Sequence, residues 1–314
     1  MTVLLWGVAQ EAPMRMVGKA LARRSADLAV IDCRSLAHTH VDIEIDNEPE
    51  QLVLAGTISA SGRIIRLDSI RAAYLRPVEP DFAPWLTPTQ RIRARRVHDI
   101  LASYTEFANT TGACRTANPL SAMGSNMSKP YQSQLIARHG FYTPVTLVSD
   151  NPHEVLHFVE LHGGAIYKST SGVRSVVSAF DPIRDAHRLA RLRWCPVQFQ
   201  ERIKGPDVRV HVVGEQAFAV RIETPAIDYR YARSQAGVDA QLQPYRLPDD
   251  VTERCISLAA DLGLPFAGID LKLCPDGRIA CFEVNPSPGF SWFESETGLP
   301  IADAVADWLL YGGR

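Results

Sequence analysis

No stretch of about 18 consecutive apolar residues occurs in the 314-residue chain, which leaves no candidate for a transmembrane helix. The opening MTVLLWGVAQ lacks a basic flank and its apolar run is short, so it reads as a first strand and not as a secretory signal. A cytoplasmic protein is expected. Excess charge of one sign is also missing: 33 Lys and Arg face 35 Asp and Glu, a formal net charge of −2. No whole-protein field then draws nucleic acid or an anionic membrane, and neither is an expected partner. Cysteines are few and unclustered, with no C-x-x-C pair. Cys33, Cys114, Cys195, Cys255, Cys274 and Cys281 mostly sit in apolar runs and read as small core hydrophobes, with Cys274 and Cys281 able to face each other across a hairpin. The phosphate signatures G-x-x-x-x-G-K-[ST] and G-x-G-x-x-G are both absent, which excludes a P-loop and a nicotinamide-binding Rossmann unit. Lysine is scarce: five (Lys19, Lys129, Lys168, Lys204, Lys272) against 28 arginines, so each lysine invites a reason.

What is present is ordinary globular composition, 46% hydrophobic and 22% charged, in a chain near the size at which one core divides into several. Strand and helix signals alternate, predicting an α/β protein built of α+β lobes. Val3–Val8, a helix over Ala12–Arg24 and Leu28–Cys33 form a β-α-β opening that suggests a small parallel sheet. Leu52–Ser59 and Arg63–Leu67 read as a hairpin, and Ala72–Leu75 as a further strand. A long helix starts at a Thr87 N-cap with Pro88 first, its apolar face formed by Val97, Ile100, Leu101, Tyr104 and Ala108. Residues 112–126 read as a linker. Beyond it come helices over Ser128–His139, from Asn151 and over Pro248–Leu262, and a closing helix Ile301–Leu310. Strands are expected at Val145–Val148, Ala165–Lys168, Arg174–Phe180, Pro196–Gln200, Val208–Val213 and Gln216–Glu223, with a polar loop or lid over Asp228–Gln243. The expected units are 1–115, 116–195 and 196–314.

Three constellations carry chemistry. The first is the hairpin within FAGIDLKLCPDGRIACFEVNPSPGF, residues 266–290. Alternation puts Glu283 and Asn285 on one face, with Asp270 able to join them from the neighbouring strand while Ile269, Phe282 and Val284 turn inward. Two carboxylates and an amide oxygen gathered in an apolar hairpin suit Mg²⁺ or Mn²⁺, hard ions that neutralise such a pair. The second is Lys129 at a helix start and Lys168 at a strand end, followed by Ser169-Thr170-Ser171-Gly172, the donors a polyphosphate needs. The third is VQFQERIKGPDVRVHVVG, residues 197–214, where a strand end offers main-chain bonds to a base and Asp207 to ribose hydroxyls. Arg221 and Asp228-Tyr229-Arg230 add guanidinium groups suited to phosphate or carboxylate. His211 reads as packed in the sheet, and the basic run Arg91–Arg96 as a solvated helix face.

In this order, the residues resemble the ATP-grasp superfamily and, within it, the RimK-type carboxylate–amine ligases. The resemblance rests on Lys129 in NMSKPYQSQLIARHG, Lys168 in IYKSTSG, Glu201-Arg202-Ile203 and Asp207 in VQFQERIKGPDVR, Arg230 in IDYRY, and Asp270, Glu283 and Asn285 in GIDL…FEVNPSPG. It covers about 110–314; residues 1–110 show only a compatible β-α-β layout. It implies ATP held between two α+β subdomains behind an N-terminal domain, with Lys129 and Lys168 at the nucleotide phosphates and Arg230 among the nucleotide-binding residues. Glu201, Arg202 and Ile203 would meet adenine, Asp207 ribose, and Asp270, Glu283 and Asn285 Mg²⁺ or Mn²⁺. The implied reaction is activation of a substrate carboxylate as an acyl phosphate, then displacement by an amine to give an amide. Arg209 and Arg221 are candidates for steadying the acyl phosphate.

The Asp228-Tyr229-Arg230 triplet and Tyr74-Leu75-Arg76-Pro77 also look like peptide-modifying ligases of the microviridin (graspetide) kind, which form lactam or lactone crosslinks in a precursor peptide. The implied partners are a carboxylate substrate, an amino acid or peptide, and an amine; a homo-oligomer stays open. A phosphotransferase and a non-catalytic nucleotide-binding module remain as alternatives.

Overall fold

The computed structural model describes residues 1–48, 51–169 and 176–312. A parallel sheet opens the chain in the order Asp27–Asp32, Thr2–Gly7, Ile70–Arg76, Arg115–Ala117. Alternation along its central strand divides the packing: Leu4 and Trp6 join the core under the helix Pro88–Thr110, whereas Val3 and Leu5 face the helices Ala12–Arg23 and Ile301–Tyr311. The last helix therefore closes the first sheet. The segment read as a linker supplies the sheet's fourth strand, Arg115–Ala117, because Thr116 and Ala117 are small enough to be wholly buried beside Tyr74. The long helix begins as expected with Thr87 and Gln90 in a reciprocal capping box, but Ile100 on its expected apolar face is exposed. In the basic run on that helix, Arg93 and Arg95 tie the helix to the Ala37 carbonyl and to Glu79.

A three-stranded antiparallel sheet, His40–Glu48, Gln51–Ala60 and Arg63–Arg66, extends the expected hairpin by a strand that the Val41-Asp42-Ile43-Glu44 alternation encodes. The central sheet runs Ser178–Phe180, Ala165–Ser169, Val197–Glu201, Thr146–Ser149, all antiparallel, under the helix Pro152–Leu161. Val197–Glu201 pairs within this sheet, so the chain crosses to the last sheet only after it. Expected positions 170–175, including most of the Ser/Thr/Gly loop and the start of one strand, lie outside the described residues.

The last sheet is antiparallel: Gln241–Tyr245, Gln216–Glu223, Asp207–Val213, Phe266–Leu273, Ile279–Asn285. The helices Lys129–Arg138 and Asp249–Asp261 cover one face through Leu135, Ile136, Val251, Cys255 and Leu258, which meet Val208, Val210, Ile269, Leu271 and Cys281. The opposite face looks toward the central sheet across a cleft. Within 228–243 the chain forms a short helix, Ala232–Ala236, and the start of the strand Gln241–Tyr245. Cys33, Cys114, Cys255 and Cys281 are buried hydrophobes as expected, but Cys281 pairs with Leu271, so Cys274 and Cys281 do not face each other. Among the described residues no helix is long and apolar enough to cross a membrane.

Candidate functional site

Asp270 sits directly opposite Glu283, and Gly268 opposite Asn285. The register slips between Asp270 and Leu271, leaving Phe282 without a partner. Such a bulge re-aims side chains. Here Phe282, expected in the core, lines the cleft beside Glu283, and Cys281 takes the inward position in its place. Asp270, Glu283 and Asn285 thus share the floor of a cleft of about 1510 Å³ between the two sheets. Lys129, Lys168, Arg202, Ile203, Asp207, Arg209, Arg221 and Arg230 line the same cleft.

Both floor carboxylates lie against protein cations. Lys129 Nζ donates to Glu283 Oε2 at 2.9 Å and to Asn126 Oδ1 at 2.6 Å. Arg209, almost fully buried, donates through Nη1 to Asp270 Oδ1 at 2.8 Å, and the Tyr229 hydroxyl approaches the same oxygen at 3.4 Å. Burial pushes the Glu283 carboxyl up, but Lys129, Lys168 and Arg209 together overcome it and hold it below the usual carboxylate range. Burial lowers the Lys168 amine against the opposing pull of Glu283. Asp207 is pushed upward by burial despite its ion pair with Lys272 at 3.0 Å.

Among the described residues no group of three or more His, Cys, Asp or Glu is placed to hold a metal ion. A divalent cation on this floor therefore needs the Asn285 amide oxygen as its third donor. That oxygen accepts the Ser287 N–H at 2.9 Å and keeps a second lone pair. Two carboxylates and one amide oxygen beside an open polar cleft fit Mg²⁺ or Mn²⁺.

Two expected residues are placed differently. The Glu201 carboxylate accepts the Tyr142 hydroxyl and the Val145 N–H (2.9 Å) and is turned away from the cleft, and the Glu201 N–H donates to the Val145 carbonyl at 3.0 Å. Arg209 and Arg221 part company: Arg221 pairs in register with Val208, which puts it on the opposite pleat face from Arg209, at the cleft rim and beside Glu223 at 3.1 Å.

Several supporting residues escaped the sequence reading. Gln132, fully buried one turn after Lys129, donates to the Val284 carbonyl and accepts the Val284 N–H, fixing the helix that carries Lys129 to the strand that carries Glu283. Asn118 likewise bonds both the N–H and the carbonyl of Phe266, plus the Pro286 carbonyl. Arg76, which the sequence singled out within Tyr74-Leu75-Arg76-Pro77, is ion-paired with Glu11 and donates to the Pro288 carbonyl at 2.9 Å, so that it braces the turn after Asn285.

His211 is fully buried, edge-on to Phe293 and stacked toward Phe266, as a sheet-packed histidine should be. Burial holds it well below its ordinary pKa, with Arg209 adding to the effect. The imidazole is then neutral when folded, whereas the unfolded chain takes up a proton below about pH 6.5. Stability is therefore lost as pH falls through that window, by up to about 1.4 kcal/mol per pH unit from this group. Urea titrations between about pH 6.5 and 5 should show that slope, and His211→Leu should flatten it by about one proton.

Two facing α+β layers with a charged cleft between them are the architecture of an ATP-grasp fold. Residues 127–309 match the family described as the RimK-like ATP-grasp domain, and the chain belongs to that family. A probable α-L-glutamate ligase from Enterobacter sp. (strain 638) is 31% identical over 191 residues, 56% of this chain and 61% of that one. The chain thus spans about three-fifths of the length of the curated relatives it matches. Among solved structures, macrocyclase MdnC bound with precursor peptide MdnA from Microcystis aeruginosa superposes with a TM-score of 0.80 at 24% identity, covering 99% of both chains. The ATP-grasp ligase PsnB, complexed with minimal precursor, Mg and ADP, gives 0.75 at 25% identity, over 99% of this chain and 97% of that one.

Proposed function

We propose that the chain is an ATP- and Mg²⁺-dependent ligase that activates a carboxylate of a peptide as an acyl phosphate and joins it to an amine, releasing ADP and phosphate. The observation that carries this reading is the floor of the cleft, where Lys129–Glu283 and Arg209–Asp270 set two cations and two carboxylates beside Asn285 and Lys168. Phosphoryl transfer to a carboxylate needs positioning and charge neutralisation more than a protein nucleophile. Asp270, Glu283 and Asn285 would hold the divalent ion, which when bound supplies positive charge at the nucleotide phosphates. Lys129, Lys168 and Arg230 supply the remaining positive charge there, and Arg202, Ile203 and Asp207 line the nucleotide's other end. Arg209 steadies the acyl phosphate from the floor, and Arg221 acts from the rim. The chain through the strand Arg115–Ala117 serves as the peptide-holding part, the part through Val197–Glu201 as the central one, and the sheet that starts with Asp207–Val213 as the metal-bearing one.

A peptide substrate is favoured by the closeness of the superposition with the peptide-bound macrocyclase, a TM-score of 0.80 over 99% of the chain, including the N-terminal sheet. Within that class, a lactam or lactone crosslink between side chains of one precursor is the second form of the same chemistry. The test supplies the full chain with ATP, Mg²⁺, hydroxylamine and a panel of amino acids and Asp/Glu-rich peptides. Hydroxamate formed in step with ADP supports the proposal, and a peptide losing one water per ADP supports the crosslinking form. A phosphorylated alcohol without hydroxamate would make it a phosphotransferase. Nucleotide binding without any ADP would make it a binding module.

A further inference from the structure

The segment after the strand Gln216–Glu223 crosses from the last sheet toward the central one, and its contacts there converge on one residue, Val177. Asp228, almost fully buried, accepts the Val177 N–H through Oδ2 at 3.3 Å while clamping Arg230 at two points, 2.8 and 2.7 Å. Gln235, on the short helix Ala232–Ala236, donates through Nε2 to the Val177 carbonyl at 2.9 Å. The Oε1 of Gln235 accepts the N–H groups of Ile227 and Asp228, both at 3.1 Å. Both polar groups of Val177, just before the strand Ser178–Phe180, are therefore taken by side chains from across the cleft. The amide oxygen of Gln235 holds the crossing segment in shape, and its amide nitrogen fastens that segment to the central sheet. Tyr229, between these anchors, reaches Asp270 on the floor at 3.4 Å.

We infer that Gln235 is a positioning residue that clasps the 224–240 segment over the cleft and so keeps water from the activated carboxylate. The inference rests on the ligase reading above. An acyl phosphate has two fates: an amine attacks its carbonyl carbon and expels phosphate to give the amide, or water attacks the same carbon, expels phosphate and returns the carboxylate. The second fate consumes ATP with no product. A clasp that holds Asp228, Tyr229 and Arg230 over the floor favours the first.

Gln235→Glu separates the two halves of the contact, because an ionised carboxylate still accepts from Ile227 and Asp228 but has no hydrogen to give the Val177 carbonyl. Gln235 is solvent-exposed, so neither this variant nor Gln235→Ala threatens the core. Two measurements on the full chain decide the matter. Amide hydrogen exchange at Val177, read without substrate and as a ratio to the parent at the same pH, should quicken by about tenfold or more in Gln235→Glu at neutral pH, and the ratio should fall back toward one at acid pH, where the introduced carboxyl regains a proton to donate. The ratio of ADP released to amide formed should rise several-fold over the parent. Unchanged exchange at Val177 in both variants overturns the clasp whether or not the parent is a ligase. Quickened exchange with an unchanged ADP-to-amide ratio overturns its part in excluding water. A parent that forms no amide refutes the ligase reading and, with it, the water-exclusion role, leaving the exchange result to judge the clasp alone.

Discussion

Glu283→Gln is expected to remove ATP-dependent turnover, by on the order of 10³-fold, while leaving the chain folded. The carboxylate lies opposite Asp270 across two strands, held below its usual range by Lys129, Lys168 and Arg209 against its own burial. Glutamine keeps the volume and one oxygen but deletes the negative charge. The floor would then present three or more cations around a single carboxylate, Asp270, and a divalent ion would be repelled where it is now drawn. Nothing comparable happens to the fold. Lys129 is partly exposed and can turn to water, Asn126 still accepts from it, and a neutral amide is easier to bury than a carboxylate. The stability change should stay within about 1 kcal/mol. The measurement pairs steady-state ADP release with urea unfolding. Parental turnover in a folded variant would dismiss the metal-bearing role of this residue, and with it the reading of the floor.

The same residue marks how far sequence reasoning reached. Asp270, Glu283 and Asn285 could be placed together because strand alternation and a short hairpin leave little freedom, and the register agrees. Alternation failed one residue earlier, at Phe282, since a bulge depends on how two strands accommodate each other and leaves no local signature. The aim of long side chains was equally hidden. Glu201 lies in a motif that points to a nucleotide, yet its carboxylate turns to Tyr142 and Val145 because those donors are within reach behind the strand. Lobe-bridging amides such as Gln132 and Asn118 serve main-chain groups that become neighbours only in the folded chain. The N-terminal parallel sheet was legible from its apolar runs, but not its fourth strand, Arg115–Ala117, whose three residues are too few to show a period.

Gly268→Ala should cripple the site through a residue that bears no functional group. Its backbone φ is unremarkable, so the demand is for space. A Cβ at this position would fall 2.1 Å from Arg209 Nη2, 2.6 Å from Arg209 Cζ and 2.7 Å from Pro288 Cβ. The guanidinium passes over the glycine to reach Asp270, and Pro288 closes the gap from the turn that Arg76 braces. Pro288 is ring-bound and has little room to retreat, whereas the tip of Arg209 can swing, so the methyl group evicts the arginine and spares the fold. Eviction separates a buried cation from its carboxylate and leaves Asp270 with the weaker Tyr229 contact alone. Overpacking of this kind destabilises by about 1–3 kcal/mol. The larger effect is on chemistry, where loss of one positioned charge lowers kcat by on the order of 10²-fold or more. Nucleotide affinity should hold, since Lys129, Lys168 and the nucleotide-facing strand end are untouched. The decisive comparison is a double-mutant cycle with Arg209→Met. If the glycine acts by seating the arginine, Gly268→Ala adds almost nothing to kcat once Arg209 is gone; independent, multiplying losses would mean that the methyl group harms the site by another route.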